Sequence, residues 1–422
     1  MTQQKARLAY LYVTIAYWVF MLTDGALRML ILLHFHVLGY SPLQLAYLFL
    51  VYEIAGAIAN LTAGWLAARL GLKFTLYAGL ILQIASLIAL TQLNLAWSVS
   101  ISVLFVMLIQ GLSGIAKDFT KMSAKSAVKT LVTKGDGNLL NWVSFLTGSK
   151  NSVKGFGFFL GAILLSSFGF VSSLLILAVA LLAILIIIFL SMPDRLPQGS
   201  KSTLFSEIFS KNNDVNYLSA ARLFLFGARD VWFAVGVPIY LYSTVSSNFV
   251  SNTGFAFFLV GGFLATWIIL YGIIQANTPK LLGLKGVNRS KILYILRLWL
   301  QRLIAATLLM AVYVLIINQS NLLSSVTLIF GLLIFGAIFA MISSLHSYLI
   351  LAFSEDKRVT LDVGFYYMAN ALGRFFGTLL SGLTYQFGGL SICLFTASLM
   401  LFTSLMITRK LGQKIYKLTK NL

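Results

Sequence analysis

The sequence predicts an all-α integral membrane protein with twelve transmembrane helices arranged in two six-helix halves. The first observation is composition, because 59% of the residues are hydrophobic and only 10% are charged, against roughly 45–50% and about 25% in soluble domains. The second is the length of the apolar runs, since a helix that crosses a ~30 Å hydrocarbon core needs about 20 apolar residues. The third is that charged segments alternate with six charge-free stretches.

Each charge-free stretch is long enough for a hairpin of two helices. Neutral turn signals, such as "LGYSP" at 38–42 and "YQFGG" at 385–389, divide these stretches near the middle. The predicted helices cover residues 8–34, 43–68, 74–91, 97–118, 140–165, 171–191, 217–243, 254–276, 303–318, 323–351, 361–384 and 390–408.

The segments between the hairpins carry most of the lysines and arginines, as at 117–137 and 280–302. Because such loops stay cytoplasmic, we expect a multi-pass protein of the cell (inner) membrane with both termini in the cytoplasm. The excess of lysine and arginine in cytoplasmic loops also accounts for the net charge of +20. The expected surrounding is therefore the lipid bilayer, and no nucleic-acid partner is predicted.

A polar segment at 192–216, which contains two prolines and mixed charge, divides the predicted helices six and six. We interpret it as a cytoplasmic linker between an N-terminal half, 1–191, and a C-terminal half, 217–422. Such a layout is typical of transporters built from two parallel repeats, in which the substrate site lies between the halves.

Intramembrane charges recur at equivalent places in the two halves. A charge at the centre of a membrane helix costs about 2.5–3.5 kcal/mol even on a lenient scale, so a set of buried cations predicts a water-filled cavity or a bound anion. Arginine binds phosphate-like oxygens with a planar fork, and lysine contributes a compact charge. The predicted substrate-binding residues are Arg28, Lys150, Lys154, Arg229 and Arg374.

Acidic residues near these cations leave two interpretations open. Asp24, Glu53 and Asp230 are predicted either to neutralise the cations or to carry coupled protons, and Asp24 with Arg28 or Asp230 with Arg229 could form structural ion pairs. Lys150 and Lys154 repel each other at i,i+4 and have no acid on their own stretch. Asp24, Glu53 or a bound substrate must therefore offset them, and we favour the substrate.

Other polar residues have weaker predicted roles. Lys117 and Asp118, at the end of the fourth predicted helix, lie where a cavity mouth would guide an anion inward. The three histidines are expected at the membrane interface rather than as ligands, and with one cysteine they form no metal set. We predict no metal, no cofactor and no enzymatic activity, because no nucleophile, base and orienting group can be assembled from the buried residues.

Several segments carry a resemblance to known transporters. "GWLAARLGLK" (64–73) resembles the loop motif of the major facilitator superfamily, although Ala68 occupies its usual acidic position. "LSGIAKDFTKMSAKSAVK" (112–129), "LTGSKNSVKGFGFFLGA" (146–162) and "LSAARLFLFGARDVWF" (218–233), together with residues 17–53, resemble the organoarsenical efflux permeases called ArsJ, a branch of that superfamily.

This resemblance implies the major facilitator superfamily fold and a specific function. It implies export of 1-arseno-3-phosphoglycerate, which forms when glyceraldehyde-3-phosphate dehydrogenase uses arsenate in place of phosphate. Arsenate resistance and a functional link to that dehydrogenase follow. An organophosphate/phosphate exchanger of the same fold is the alternative. A non-transporting membrane sensor is disfavoured, because no loop is long enough for an output domain.

Overall fold

The computed structural model of the 422-residue chain describes residues 3–94, 96–131, 139–192, 212–248, 253–284, 287–317, 322–354 and 359–411. Most of the predicted linker, 193–211, and the basic tail from 412 onward lie outside these ranges. The side chains of 63–72, which hold most of the loop motif, also lie outside the description. Every regular element in the described ranges is an α-helix, which confirms the all-α prediction.

The described chain forms ten helices. They are α1 (Gln3–Val37), α2 (Pro42–Leu90), α3 (Val99–Leu131), α4 (Leu139–Ser191), α5 (Asn213–Phe233), α6 (Gly236–Asn248), α7 (Thr253–Leu281), α8 (Arg289–Ile316), α9 (Leu322–Phe353) and α10 (Val359–Thr408). The prediction of twelve separate helices was therefore wrong in its boundaries: α2, α4 and α10 each contain two predicted helices, and α5 and α6 divide one. The stretch before residue 303 also belongs to a membrane-length helix, α8.

Two of the long helices change direction at glycines. Gly169 in α4 has φ 73° and Gly389 in α10 has φ 63°, a region of backbone conformation that glycine adopts at little cost. The apolar segments Ser149–Ser191 and Leu361–Thr408 have 43 and 48 residues, about twice the ~20 that one crossing needs. When each is counted as two crossings, the ten candidate spans of the described chain become twelve.

The predicted seventh helix is broken between α5 and α6. Pro238 has no N–H to donate to the carbonyl of Ala234, which interrupts the helical ladder. The N–H groups of Val235 and Gly236 instead donate to Ser381 Oγ of α10, at 3.1 and 3.2 Å. A single hydroxyl on a neighbouring helix therefore satisfies both backbone donors at the break.

Replacing this hydroxyl should destabilise the protein. We expect Ser381→Ala to lower the free energy of unfolding by about 1–3 kcal/mol, because two buried N–H groups lose their acceptor. Thr403→Ala is the control, since the Thr403 hydroxyl bonds only to a carbonyl of its own helix at an exposed position. Thermal unfolding in detergent measures both variants, and equal melting temperatures would contradict the assigned role of Ser381.

Close packing of α4 against α1 positions the charged residues. Side chains at Gly157 or Gly161 would collide with the backbone oxygens of Leu22 and Ala26, so the glycines permit backbone contact. The glycines after Lys154 therefore serve helix packing. Across the predicted halves, α10 packs on α2 and α7 packs on α4. Both contacts bring opposite halves together around the buried charges.

Candidate functional site

Glu53 of α2 is the centre of a buried ion-pair network. Its Oε1 accepts from Arg28 Nη1 of α1 at 3.1 Å and from Arg374 Nη2 of α10 at 2.6 Å. The Glu53 side chain is fully buried, and its Oε2 has no hydrogen-bond partner within the described chain. One carboxylate oxygen thus joins arginines from the two predicted halves.

Asp230 of α5 extends the network through the C-terminal half. Arg374 Nε contacts Asp230 Oδ2 at 3.2 Å, and Arg229 Nη2 contacts Asp230 Oδ1 at 2.5 Å. The ion pair between the neighbouring residues Arg229 and Asp230, which the sequence left as one possibility, is therefore formed. The chain of contacts runs Arg28, Glu53, Arg374, Asp230, Arg229.

Asp24 of α1 offsets Lys154 of α4. Lys154 Nζ lies 2.5 Å from Asp24 Oδ2, and Tyr52 Oη donates to Asp24 Oδ1 at 2.5 Å. Of the two acids that the sequence left open as partners of Lys154, Asp24 forms the ion pair. The possible pair of Asp24 with Arg28 on one helix face is not formed among the described contacts. Lys150 lies one turn before Lys154 on α4 and is half-buried.

Lys117 and Asp118 of α3 are linked to the pair of Asp24 and Lys154 through Tyr52. Lys117 Nζ lies 4.0 Å from the centre of the Tyr52 ring and 3.9 Å from Asp118 Oδ2. Lys121 Nζ contacts Asp118 Oδ1 at 3.2 Å and Asn60 Oδ1 at 2.5 Å. The two residues predicted for the cavity mouth therefore belong to a second group of buried charges, which includes Asp24 and Lys154.

Cations outnumber carboxylates in these contacts. The contacts form two groups, each with three cations and two carboxylates: Arg28, Arg229 and Arg374 with Glu53 and Asp230, and Lys117, Lys121 and Lys154 with Asp24 and Asp118. Aromatic rings desolvate the arginines, as where Arg28 lies 4.7 Å from the Phe49 ring centre. Because no cation of either group is more than 20% exposed in its side chain, the excess charge favours an anionic ligand.

Some residues depart from their predicted positions or were missed. His346 is fully buried in α9, which corrects its expected place at the membrane interface. Asp362 is buried in the first turn of α10, where a carboxylate is stabilised by the helix dipole. Tyr52 and Lys121 were not predicted as site residues. The only signals in the sequence were that Tyr52 is next to Glu53 and that Lys121 lies three residues after Asp118. No group suited to a metal ion occurs within the described chain.

Membrane-length helices and buried charges that connect helices of the two predicted halves are typical of membrane transporters. The family model of the Major Facilitator Superfamily matches residues 13–300. The chain belongs to that superfamily. No curated protein sequence matches the chain.

Two solved structures show the same fold. A point mutant of the nucleoside transporter NupG is 15% identical to this chain with a TM-score of 0.71, and the match covers 96% of this chain and 98% of that one. A POT family transporter in complex with a thioalcohol conjugated peptide is 14% identical with a TM-score of 0.72, and 95% of each chain is covered. At such identities the similarity concerns the fold alone.

Proposed function

We propose that the chain exports an organic arsenate and phosphate anion, 1-arseno-3-phosphoglycerate, across the cell inner membrane and so confers arsenate resistance. The observation that carries this proposal is the excess of buried cations in a network that joins the two halves. The arsenical part of the substrate is supported by the resemblance of four segments to the organoarsenical efflux permeases. The partner reaction is that of glyceraldehyde-3-phosphate dehydrogenase.

The proposed binding step is exchange of carboxylates for substrate oxyanions. Glu53 holds Arg28 and Arg374 together. A phosphate-like group offers the same arginines a bidentate acceptor with more charge, so it competes with Glu53 for them. Occupancy of the site and contact between the halves are therefore coupled through one side chain.

A substrate with two oxyanions suits the distribution of the cations. Arg28 and Lys154 come from the N-terminal half, whereas Arg229 and Arg374 come from the C-terminal half. Inorganic arsenate is a single oxyanion and leaves some of these charges without a new partner, which is costly in a buried site. A three-carbon acyl arsenate with a terminal phosphate reaches both sets, and two-ended binding draws the halves together.

Glu53 is also the proposed proton-coupling residue. Protonation of this carboxylate removes the charge that holds Arg28 and Arg374 and leaves both arginines available to the anion. Its unpartnered Oε2 is a place for the proton. Asp24 and Asp230 each use both carboxylate oxygens in contacts, so we assign them the role of charge partners.

Transport into everted vesicles tests the proposed substrate. We expect arsenic to accumulate only when glyceraldehyde-3-phosphate dehydrogenase, its sugar phosphate, NAD and arsenate are supplied together. Vesicles that contain the Arg374→Gln variant are the control and should accumulate no arsenic above the background. Equal uptake of arsenate without the dehydrogenase would contradict the organoarsenical assignment. Uptake of phosphoglycerate at the same rate would support the organophosphate exchanger instead.

A further inference from the structure

A second buried cation lies outside the central network. Arg222 of α5 is 4% exposed and lies seven residues before Arg229, which is two helical turns or roughly 10 Å along the same face. Both guanidinium groups lie against the ring of Phe226, at 3.8 Å for Arg222 and 4.9 Å for Arg229. Arg222 is therefore the next cation from the central network toward the predicted cytoplasmic end of α5.

The partners of Arg222 are all neutral. Its Nε donates to Asn370 Oδ1 at 2.9 Å, and its Nη1 donates to the carbonyl and hydroxyl oxygens of Ser343 at 3.3 and 3.1 Å. Within the described residues Arg222 forms no ion pair with a carboxylate, and its hydrogen bonds are made through Nε and Nη1 rather than Nη2. The arginines of the central network differ, because each binds Glu53 or Asp230.

Polar groups from three helices surround this guanidinium. Ser343 Oγ accepts from Tyr271 Oη at 3.1 Å and from Gln275 Nε2 at 3.4 Å. His346 lies one turn further along α9, is fully buried, and has no hydrogen-bond partner for either ring nitrogen among the described residues. Hydroxyl, amide and imidazole groups all can donate hydrogen bonds to an oxyanion.

The need for a counter-charge distinguishes Arg222 from a structural arginine. Arg297 of α8 also binds only neutral oxygens, but these include the carbonyls of Thr408 and Leu411 at the carboxyl end of α10, where the helix dipole favours a cation. Ser343 lies in the middle of α9, where no such helix end is available. A buried guanidinium without a carboxylate is costly, and a bound oxyanion supplies the missing charge.

We propose that Arg222, together with His346, Ser343 and Asn370, forms a second binding site for a phosphate-type oxyanion, separate from the central network. The Nη2 edge of the guanidinium is the docking position. This inference rests on the proposed function for the class of ligand, an anion that enters from the cytoplasm. The site holds this anion two helical turns before it reaches Arg229.

Binding of radiolabelled orthophosphate to the purified full-length protein in lipid nanodiscs tests this proposal. We expect two phosphate ions per wild-type protein, one per Arg222→Gln protein, and loss of the other ion in Arg374→Gln. Arg297→Gln is the matched control and should still bind two. If the wild type binds one phosphate and Arg222→Gln binds it unchanged, the second site does not exist.

A second variant covers the case in which Arg222→Gln fails to fold. Asn370→Asp places a carboxylate against Arg222 Nε without a change of shape, so it supplies the counter-charge internally. We expect this variant to fold and to bind one phosphate fewer than the wild type. Retention of two phosphates would contradict the assignment. If the arsenical substrate assignment is wrong, the number of phosphate ions bound per protein does not change. The experiments therefore distinguish failure of the substrate assignment from failure of the second binding site.

Discussion

Glu53→Gln should tighten anion binding by roughly tenfold, or about 1.4 kcal/mol, and should abolish the response of export to a proton gradient. Glutamine keeps the size of the side chain but removes the charge that competes for Arg28 and Arg374. The same change should lower the free energy of unfolding by about 3 kcal/mol, because two buried arginines lose their counter-ion. Phosphate binding, thermal unfolding and vesicle transport with and without a gradient measure the three effects.

Asp362→Asn is the control for the Glu53 variant. It also removes a buried acid of the membrane region, but it lies twelve residues from Arg374 on α10, or roughly 18 Å along the helix. We expect it to keep the gradient response and the wild-type affinity for phosphate. If Glu53→Gln behaves like this control, the carboxylate is a structural partner and does not carry the coupled proton.

Lys154→Gln should reduce export by roughly a hundredfold, which corresponds to about 2.7 kcal/mol. The variant removes one cation of the site and leaves Asp24 buried beside a neutral amide. Breaking a buried pair costs about 3–5 kcal/mol, whereas neutralising both members is far less costly. The double variant Asp24→Asn/Lys154→Gln should therefore be more stable than either single variant and should remain unable to export.

Lys150→Gln is the matched control on the same helix. We expect it to weaken export as well, because it removes a predicted substrate-binding cation. The double variant Asp24→Asn/Lys150→Gln should not recover stability as Asp24→Asn/Lys154→Gln does, because Asp24 contacts Lys154. Additive losses of stability for Asp24→Asn with Lys154→Gln would contradict the observed pairing. Wild-type export by both lysine variants would place the anion site away from α4.

Composition and charge spacing predict the helical class and the positions of the intramembrane charges, because both depend on local sequence. They do not predict which neighbouring helices are joined without a loop between them. "SSFGF" and "YQFGG" indicate turns, but only backbone geometry shows that Gly169 and Gly389 turn the chain with no intervening loop. The break after Phe233 is similar, since it depends on Ser381 of α10 as well as on Pro238.

The pairing of the buried charges is the part that the sequence could not supply. Lys154 and Asp24 are 130 residues apart, and Arg374 and Glu53 are 321 apart. Spacing along one helix instead suggested Asp24 with Arg28, which does not form. Arg222 was visible as an intramembrane charge, but its neutral surroundings depend on α9 and α10, which only tertiary packing brings to it.

The sharing of Glu53 between two arginines bears on what happens after the substrate has left. A carrier whose vacant site keeps all its cations bare is held on one side of the membrane, because enclosing those charges in a low-dielectric interior is costly. Such a carrier turns over only by taking a second anion back. In this protein Glu53, Asp230 and Asp24 each pair with at least one buried cation, so under the proposed function they neutralise part of that charge after the substrate leaves. Under the proposed export function, partial neutralisation of the site lowers the cost of its return, so vesicle uptake should not require an anion on the opposite side of the membrane.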